Sequence, residues 1–215
     1  MLQSNDPISN IRTEYKLKSL SEEDTAANPF EQFVTWWNEA RNSRLQEVNA
    51  MTLSTATKDG TPSSRIVLLK GYDPRGFIFF TNYNSAKGNE LAENPKASLL
   101  FFWKELERQV RIDGIVQKIT PIESDMYFKS RPIGSKIGAW ASPQSSVIES
   151  RKVLEDNVTK YESQFDENVP RPPHWGGYIV LANKIEFWQG RSSRLHDRIH
   201  YRLQDNNWIR ERLAP

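Results

Sequence analysis

The chain has 215 residues, 37% of them hydrophobic, with 29 Lys and Arg against 27 Asp and Glu and a formal charge of +2. That length suffices for one substantial core or two small domains, and the near balance of charge speaks against a protein whose main work is non-specific nucleic-acid binding. There is no cysteine, so disulfides, thiolate metal sites and a cysteine nucleophile are excluded, as suits a reducing compartment.

Residues 1–28 are polar and weakly patterned and read as an arm, mobile unless something tethers it. Their start, "MLQSNDPISNIRTEY", lacks the basic and apolar regions of a secretory signal. In "NPFEQFVTWWNEARNS", Asn28 caps a helix, Pro29 takes its first position, and Phe30, Phe33, Val34 and Trp37 form an apolar stripe. From residue 50 the pattern changes to strands: "AMTLSTAT", "SSRIVLLKGY", "GFIFFTN", "ASLLFFW" and "RQVRIDGIVQKI", several of them separated by turn residues. A short helix, Ala86–Glu93, interrupts them. Helical patterns follow at 122–131 and 146–165, then a Pro-rich loop, then strands in "YIVLANKIEFWQG", around 199–203, and in "WIRERL". The longest apolar run, "LLFFW", is far too short to span a membrane. One domain over 29–215, a β-barrel with a helical rim in a soluble cytoplasmic protein, is the expected organisation.

Neither a P-loop nor GxGxxG is present, but three stretches offer a place for phosphate. Ser85 is placed to cap the helix that begins at Ala86, with Lys87 in its first turn; helix N–H groups and a lysine together favour an anion. Alone, this reads more simply as a plain N-cap beside a surface lysine. In "DMYFKSRPIGSKIGAW", Tyr127 and Arg131 are i,i+4 on one helix face, Pro132 ends that helix, and Ser135 is placed to cap the next. The plain alternative is an amphipathic helix with a boundary tyrosine. In "SSRIVLLKGY", Arg65 and Lys70 fall on opposite faces of a regular strand and serve one ligand only if the strand bulges or ends. In "LERQVRIDG", Gln109 shares a face with Glu107 and Arg111, positioned for a heterocycle or merely exposed.

The stretch "IEFWQGRSSRLHDRIHY" gathers Trp188, Arg191, Arg194, His196, Asp197 and Arg198. A period of two would put Arg194, His196, Arg198 and His200 on one face, facing either an anion or solvent, with a break in the period expected near Ser192–Ser193.

In order and spacing, "SRIVLLKGYD", "FFTN", "SAKG", "LERQVRI", "YFKSRP", "SKIGAWASPQSS", "WGGY", "IEFWQGRSSRLHDR" and the final "RLAP" closely resemble the pyridoxamine 5′-phosphate oxidases, over nearly the whole chain from residue 12. The resemblance implies a mainly β fold with α elements, the FMN-binding split β-barrel with peripheral helices, and a homodimer with FMN at the subunit interface. It implies oxidation of pyridoxamine and pyridoxine 5′-phosphate to pyridoxal 5′-phosphate, with dioxygen as acceptor, hydrogen peroxide released, and ammonia lost from the amine. Neither nucleic acid, membrane nor metal enters that scheme.

Carried over by motif, the resemblance assigns FMN to Arg65, Ile66, Val67, Leu68, Leu69, Lys70, Phe80, Thr81, Ser85, Ala86, Lys87, Gln109, Gln144, Ser145, Trp188 and Arg198. It assigns the substrate phosphate to Lys70, Tyr127, Arg131 and Ser135, and the substrate ring to Arg194 and His196, the residues expected to be catalytic. Arg12 and Tyr15 of "RTEY" would belong to a segment that folds over the site. One departure stands out: Ser85-Ala86-Lys87 replaces the family's Ser-Arg-Lys, and an uncompensated loss of one charge-assisted contact is worth roughly 1.5–3 kcal/mol of flavin binding. The alternatives are a non-catalytic split-barrel carrier or sensor of flavin or pyridoxal phosphate, a flavin enzyme of the same barrel type with another substrate, and a nucleic-acid-binding barrel.

Overall fold

Alternating apolar residues build the strands of the computed structural model, which describes residues 10–11 and 13–215. Met51, Leu53 and Thr55 turn inward from β1 (Ala50–Ala56), as do Ala97, Leu99, Phe101 and Trp103 from β5 (Lys96–Trp103), the period of two of a half-buried strand. The other strands are β2 (Pro62–Leu68), β3 (Gly71–Asp73), β4 (Gly76–Asn82), β6 (Arg108–Lys118), β7 (Trp175–Gln189), β8 (Asp197–Gln204) and β9 (Asn207–Arg212). They form one sheet in the order β2-β1-β5-β6-β7-β4-β3, with β8 pairing β7 and β9 pairing β8. The helices are α1 (Pro29–Arg41), α2 (Ala86–Glu93), α3 (Pro121–Ser130), α4 (Ile133–Ala141) and α5 (Arg151–Gln164). None is long and apolar enough to cross a membrane.

The chain divides into two compact units. The first takes the described residues of Met1–Val48 with Phe101–Arg111 and Lys184–Pro215; the second takes Asn49–Leu100 and Ile112–Asn183.

In the first unit Asn28 caps α1 by accepting the Phe30 N–H at 2.8 Å, with Pro29 opening the helix. The buried face, however, runs through Phe33, Trp36 and Ala40, while Val34 is exposed. The expected stripe through Phe30, Val34 and Trp37 is therefore rotated, because Trp36 meets Phe187 edge-on at 5.2 Å and Phe33 meets Phe101 at 5.7 Å. Trp36 also carries the buried Arg108 guanidinium 4.1 Å above its ring. Arg108 pairs with Glu39 at 2.9 Å and donates to Gln189 at 2.9 Å, which makes its burial tolerable. The N-terminal segment is tethered here: Leu20 is buried and donates its N–H to Asp197, Glu22 pairs with Arg212, and the Tyr201 hydroxyl donates to the Ala26 carbonyl.

In the second unit β1 pairs antiparallel with β2, and β4 with β7. The expected continuous strand "SSRIVLLKGY" is two strands, β2 ending at Leu68 and β3 starting at Gly71. α3 is closed by a capping box between Thr120 and Glu123, a reciprocal arrangement that satisfies two N–H groups. Pro132, not Ser135, stands at the N-cap of α4, so Ser135 sits in the first turn with its N–H on the Pro132 carbonyl. The helix expected at 146–165 begins only at Arg151.

Candidate functional site

A cavity of about 710 Å³ lies within the second unit. β2 and its exit contribute Ile66, Val67, Leu68 and Lys70; β4 contributes Phe80, Thr81 and Asn82; α2 contributes Lys87. α3 and its end supply Tyr127 and Arg131, α4 supplies Ser135, and Gln144 follows. Lys70, two residues past the end of β2, keeps the parity of Ile66 and Leu68 and lines this space with them, whereas Arg65, on the other parity, does not. β2 also stands at an end of the sheet order, leaving one row of its backbone groups unpaired by the sheet and free for a planar polar ligand.

One wall is aromatic. Phe80 stacks on Tyr127 at 3.9 Å and on Trp175 at 5.5 Å. The Arg131 guanidinium lies 4.5 Å above the Trp175 ring, which holds a cation against an apolar surface. Its Nη1 is buried and has no hydrogen-bond partner among the described residues. Burial pulls its pKa below the usual guanidinium range, with the nearby Tyr127 opposing. A buried cationic donor without an acceptor is costly, and an anionic oxygen at this wall removes the cost.

The other end of the cavity is built by α2. Ser85 caps this helix, its Oγ accepting the Gly88 N–H at 3.3 Å and donating to the Asn82 carbonyl at 2.7 Å. Gly88 is required by closeness: a Cβ there would stand 2.1 Å from the Tyr83 carbonyl oxygen. Lys87 is buried, its Nζ donating to Thr81 Oγ1 at 3.3 Å, and Thr81 donates onward to Gln144 at 3.2 Å. Burial, then the Arg65 charge, lowers its pKa. A desolvated ammonium at a helix start fits a phosphate, which would restore its charge balance.

Not every expected residue lines this space. Arg65 turns instead to Glu90, 3.1 Å away, and to Ser63 and Thr55. Leu69 is core, Ser85 is consumed by its cap, Ala86 is exposed, and Ser145 adopts a left-handed φ of 72° beside Gln144. Arg12 lies outside the described residues.

The first unit holds a separate cluster. Trp188 ends β7, and the His196 ring lies 4.5 Å from it. Tyr15 approaches Trp188 edge-on at 5.8 Å and His196 at 6.1 Å. Ser193 and Arg194 both have positive φ, 55° and 62°, so the period of two breaks here, as expected near Ser192–Ser193, and resumes only from Asp197, where β8 begins. Non-glycine residues held in this region store strain and cluster at functional sites. Arg194 is exposed and forms no ion pair among the described residues.

Arg191 and Asp197 hold the turn. The Arg191 N–H donates to His196 Nδ1 at 3.1 Å, and its guanidinium pairs with Asp197 at 2.7 Å. Asp197 also receives Arg212 at 2.9 Å and the Leu20 N–H at 3.0 Å. Burial would raise the Asp197 pKa, but these donors outweigh it and hold it below the ordinary 3.8. Burial and the Arg194 charge lower the His196 pKa from 6.5. The neutral ring, accepting at Nδ1, carries its proton on Nε2 and presents a donor there.

Arg198 is committed elsewhere: its Nε and Nη2 grip the buried Glu186 at 2.9 and 3.0 Å, and its Nη1 donates to the Ala214 carbonyl. Arg111 reaches the same carboxylate at 2.7 Å. Glu186 was legible in principle, since in "IEFWQ" it alternates with the buried Ile185 and Phe187 and so shares a face with Trp188 and, across the register, with Arg198. Gln109 is half-buried on β6. Trp175 stands in the quoted "WGGY" but was given no role, and Glu90 gave no signal, because both act through contacts distant in the chain.

Residues 38–165 match the family model described as pyridoxamine 5′-phosphate oxidase, and residues 175–215 match the pyridoxine 5′-phosphate oxidase C-terminal dimerisation region. The chain belongs to the pyridoxamine 5′-phosphate oxidase family. A pyridoxine/pyridoxamine 5′-phosphate oxidase of Paraburkholderia phymatum is 57% identical, covering 97% of this chain and 99% of the relative. That of Synechocystis sp. is 54% identical, covering 97% and 98%. Among solved structures, PhzG from Burkholderia lata 383 in complex with tetrahydrophenazine-1-carboxylic acid is 32% identical, with a TM-score of 0.87 over 93% of this chain and 99% of that one. A pyridoxamine 5′-phosphate oxidase-related, FMN binding protein from Nostoc punctiforme, 17% identical with a TM-score of 0.71, shares the fold over 89% of this chain and 100% of that one. The fold is thus the mainly β, FMN-binding split barrel with peripheral helices, as the resemblance implied. Membership carries the family's FMN-dependent oxidoreductase activity, and the dimerisation region makes the working form a homodimer.

Proposed function

We propose that this chain, as a homodimer, oxidises pyridoxamine and pyridoxine 5′-phosphate to pyridoxal 5′-phosphate, the substrate phosphate being held in the cavity of the second unit, as a cytoplasmic enzyme closing the synthesis and salvage of the vitamin B6 cofactor. The observation that carries the reading is the buried, unpartnered Nη1 of Arg131, set beside Tyr127, Ser135 and Lys70 in one cavity. Those four groups hold the substrate phosphate: a guanidinium and an ammonium supply charge, and two hydroxyls supply donors. Lys87 with the start of α2 holds the flavin phosphate, and the free edge of β2 flanks the flavin ring. Arg65 and Arg198 are held by Glu90 and Glu186 and reach the flavin when those carboxylates release them. Gln109, Gln144, Ser145 and Trp188 complete the cofactor contacts.

Bound FMN supplies the two-electron acceptor for the hydride leaving the substrate C4′, and dioxygen takes those electrons as hydrogen peroxide forms. The chain's own residues position and polarise. Arg194 orients the substrate ring, and the strained turn fixes where its guanidinium starts. His196, with its proton on Nε2, donates a hydrogen bond to a polar substituent of the substrate, while Arg191 keeps that tautomer in place.

Aerobic turnover of both phosphorylated vitamers by FMN-loaded protein tests this, with aldehyde and peroxide measured together. Equal yields of aldehyde and peroxide are expected. Flavin binding without aldehyde would establish the carrier or sensor reading instead.

A further inference from the structure

Glu107, in "LERQVRI", is used by neither the cavity nor the cofactor reading. It closes the 3₁₀ turn Lys104–Leu106 with a left-handed φ of 52°. Its backbone carbonyl accepts the Gly190 N–H at 2.7 Å and Gln189 Nε2 at 3.2 Å, which fastens it to the chain just beyond Trp188. Its carboxylate faces the N-terminal segment: Oε2 accepts the N–H of Lys16 at 2.9 Å and of Leu17 at 3.0 Å. Two successive amides converging on one anionic oxygen form a compact anion-binding arrangement. The Lys16 ammonium is not part of it, being paired with Glu14 at 2.7 Å. What Glu107 grips is therefore backbone.

The grip begins one residue after Tyr15. Its ring lies against Gly190, where an added Cβ would come within 2.7 Å of the ring, and the same ring covers Trp188 and His196. Gly190 is needed because Tyr15 occupies the space a side chain would take. We propose that Glu107 is a positioning residue: it latches the N-terminal segment through the amides of Lys16 and Leu17, so that Tyr15 is held over the Trp188–His196 face and substrate binds under it. The latch rests on the roles proposed above for Trp188 and His196, and it acts on binding rather than on electron transfer.

The test uses FMN-loaded full-length protein in two measurements. Hydrogen exchange at the amides of Lys16 and Leu17 needs no substrate and reads the latch itself. The KM and kcat for pyridoxamine 5′-phosphate read its consequence. Glu107→Ala is expected to lower the protection of both amides and to raise KM roughly tenfold, with kcat and flavin content within about twofold of the parent. Glu107→Gln keeps the acceptor oxygen and the same backbone demand, and is expected to recover most of both effects. Gly190→Ala displaces the Tyr15 ring without touching the carboxylate; it should raise KM while the two amides stay protected, and add nothing to KM on top of Glu107→Ala. Unchanged protection in Glu107→Ala overturns the latch, as does lost protection with an unmoved KM. A parent protein that makes no aldehyde overturns the oxidase reading and leaves the exchange result to judge the latch.

Discussion

Around the cavity, Lys70, Lys87 and Arg131 make no ion pair among the described residues, and two of them are wholly or partly buried. Around the turn after β7 the cations are neutralised one by one: Arg191 and Arg212 by Asp197, Arg198 and Arg111 by Glu186, with Arg194 alone left over. The first region keeps positive charge in reserve at the expense of desolvation, which an anion offsets on binding. The second spends its charge on holding a strained turn in shape. Unpaired cations thus mark where a phosphate belongs, and paired ones mark scaffold.

The largest break in that contrast should come from Arg194, the exception in its region. Arg194→Ala is expected to lower turnover by about a hundredfold, the scale of a lost positioning contact, with FMN still bound by absorbance. Normal turnover would class Arg194 with the scaffold. Arg131→Ala should raise KM for phosphorylated vitamers by about 10- to 100-fold, one charge-assisted bond being worth roughly 1.5–3 kcal/mol. Steady-state kinetics with an unphosphorylated vitamer, expected to be little affected, shows whether the loss is specific to phosphate.

Ala86 sharpens the comparison in the opposite direction. It is exposed in the first turn of α2, beside Lys87, so Ala86→Arg adds a cation where the cavity keeps them free. FMN should bind about tenfold tighter by fluorescence titration, and an unchanged dissociation constant would mean that Lys87 and the helix start already saturate the phosphate.

The smallest effect belongs to the scaffold. The donors around Asp197 hold its carboxyl below the ordinary 3.8, so its stabilisation is complete above that value and is lost as pH falls through the depressed one. Asp197→Asn should therefore lower Tm by about 4–8 °C near neutral pH, on the scale of roughly 2 kcal/mol. The gap to the parent should close as thermal scans move into the acid range. A gap independent of pH would assign the loss to packing.

Local signals were legible and non-local ones were not. The cap at Asn28, the bounds of α2 with its Ser85 cap, and most strands follow from residues near one another in the chain. The buried face of α1 was misplaced because Phe187 and Phe101 decide it. The break in the period of two near Ser192–Ser193 was legible, but the positive φ that Ser193 and Arg194 take there was not. Tyr127, Arg131, Ser135 and Lys70 were gathered by the family resemblance and do share one cavity, but the sequence had no means of showing that Arg65 already holds Glu90.

The most direct measurement is aldehyde formation from pyridoxamine 5′-phosphate and from pyridoxamine, side by side, by the FMN-loaded protein in air. If the unpaired cations are a phosphate receptor, kcat/KM should favour the phosphorylated amine by about a hundredfold or more, with one peroxide per aldehyde. Equal rates on the two amines would contradict the account.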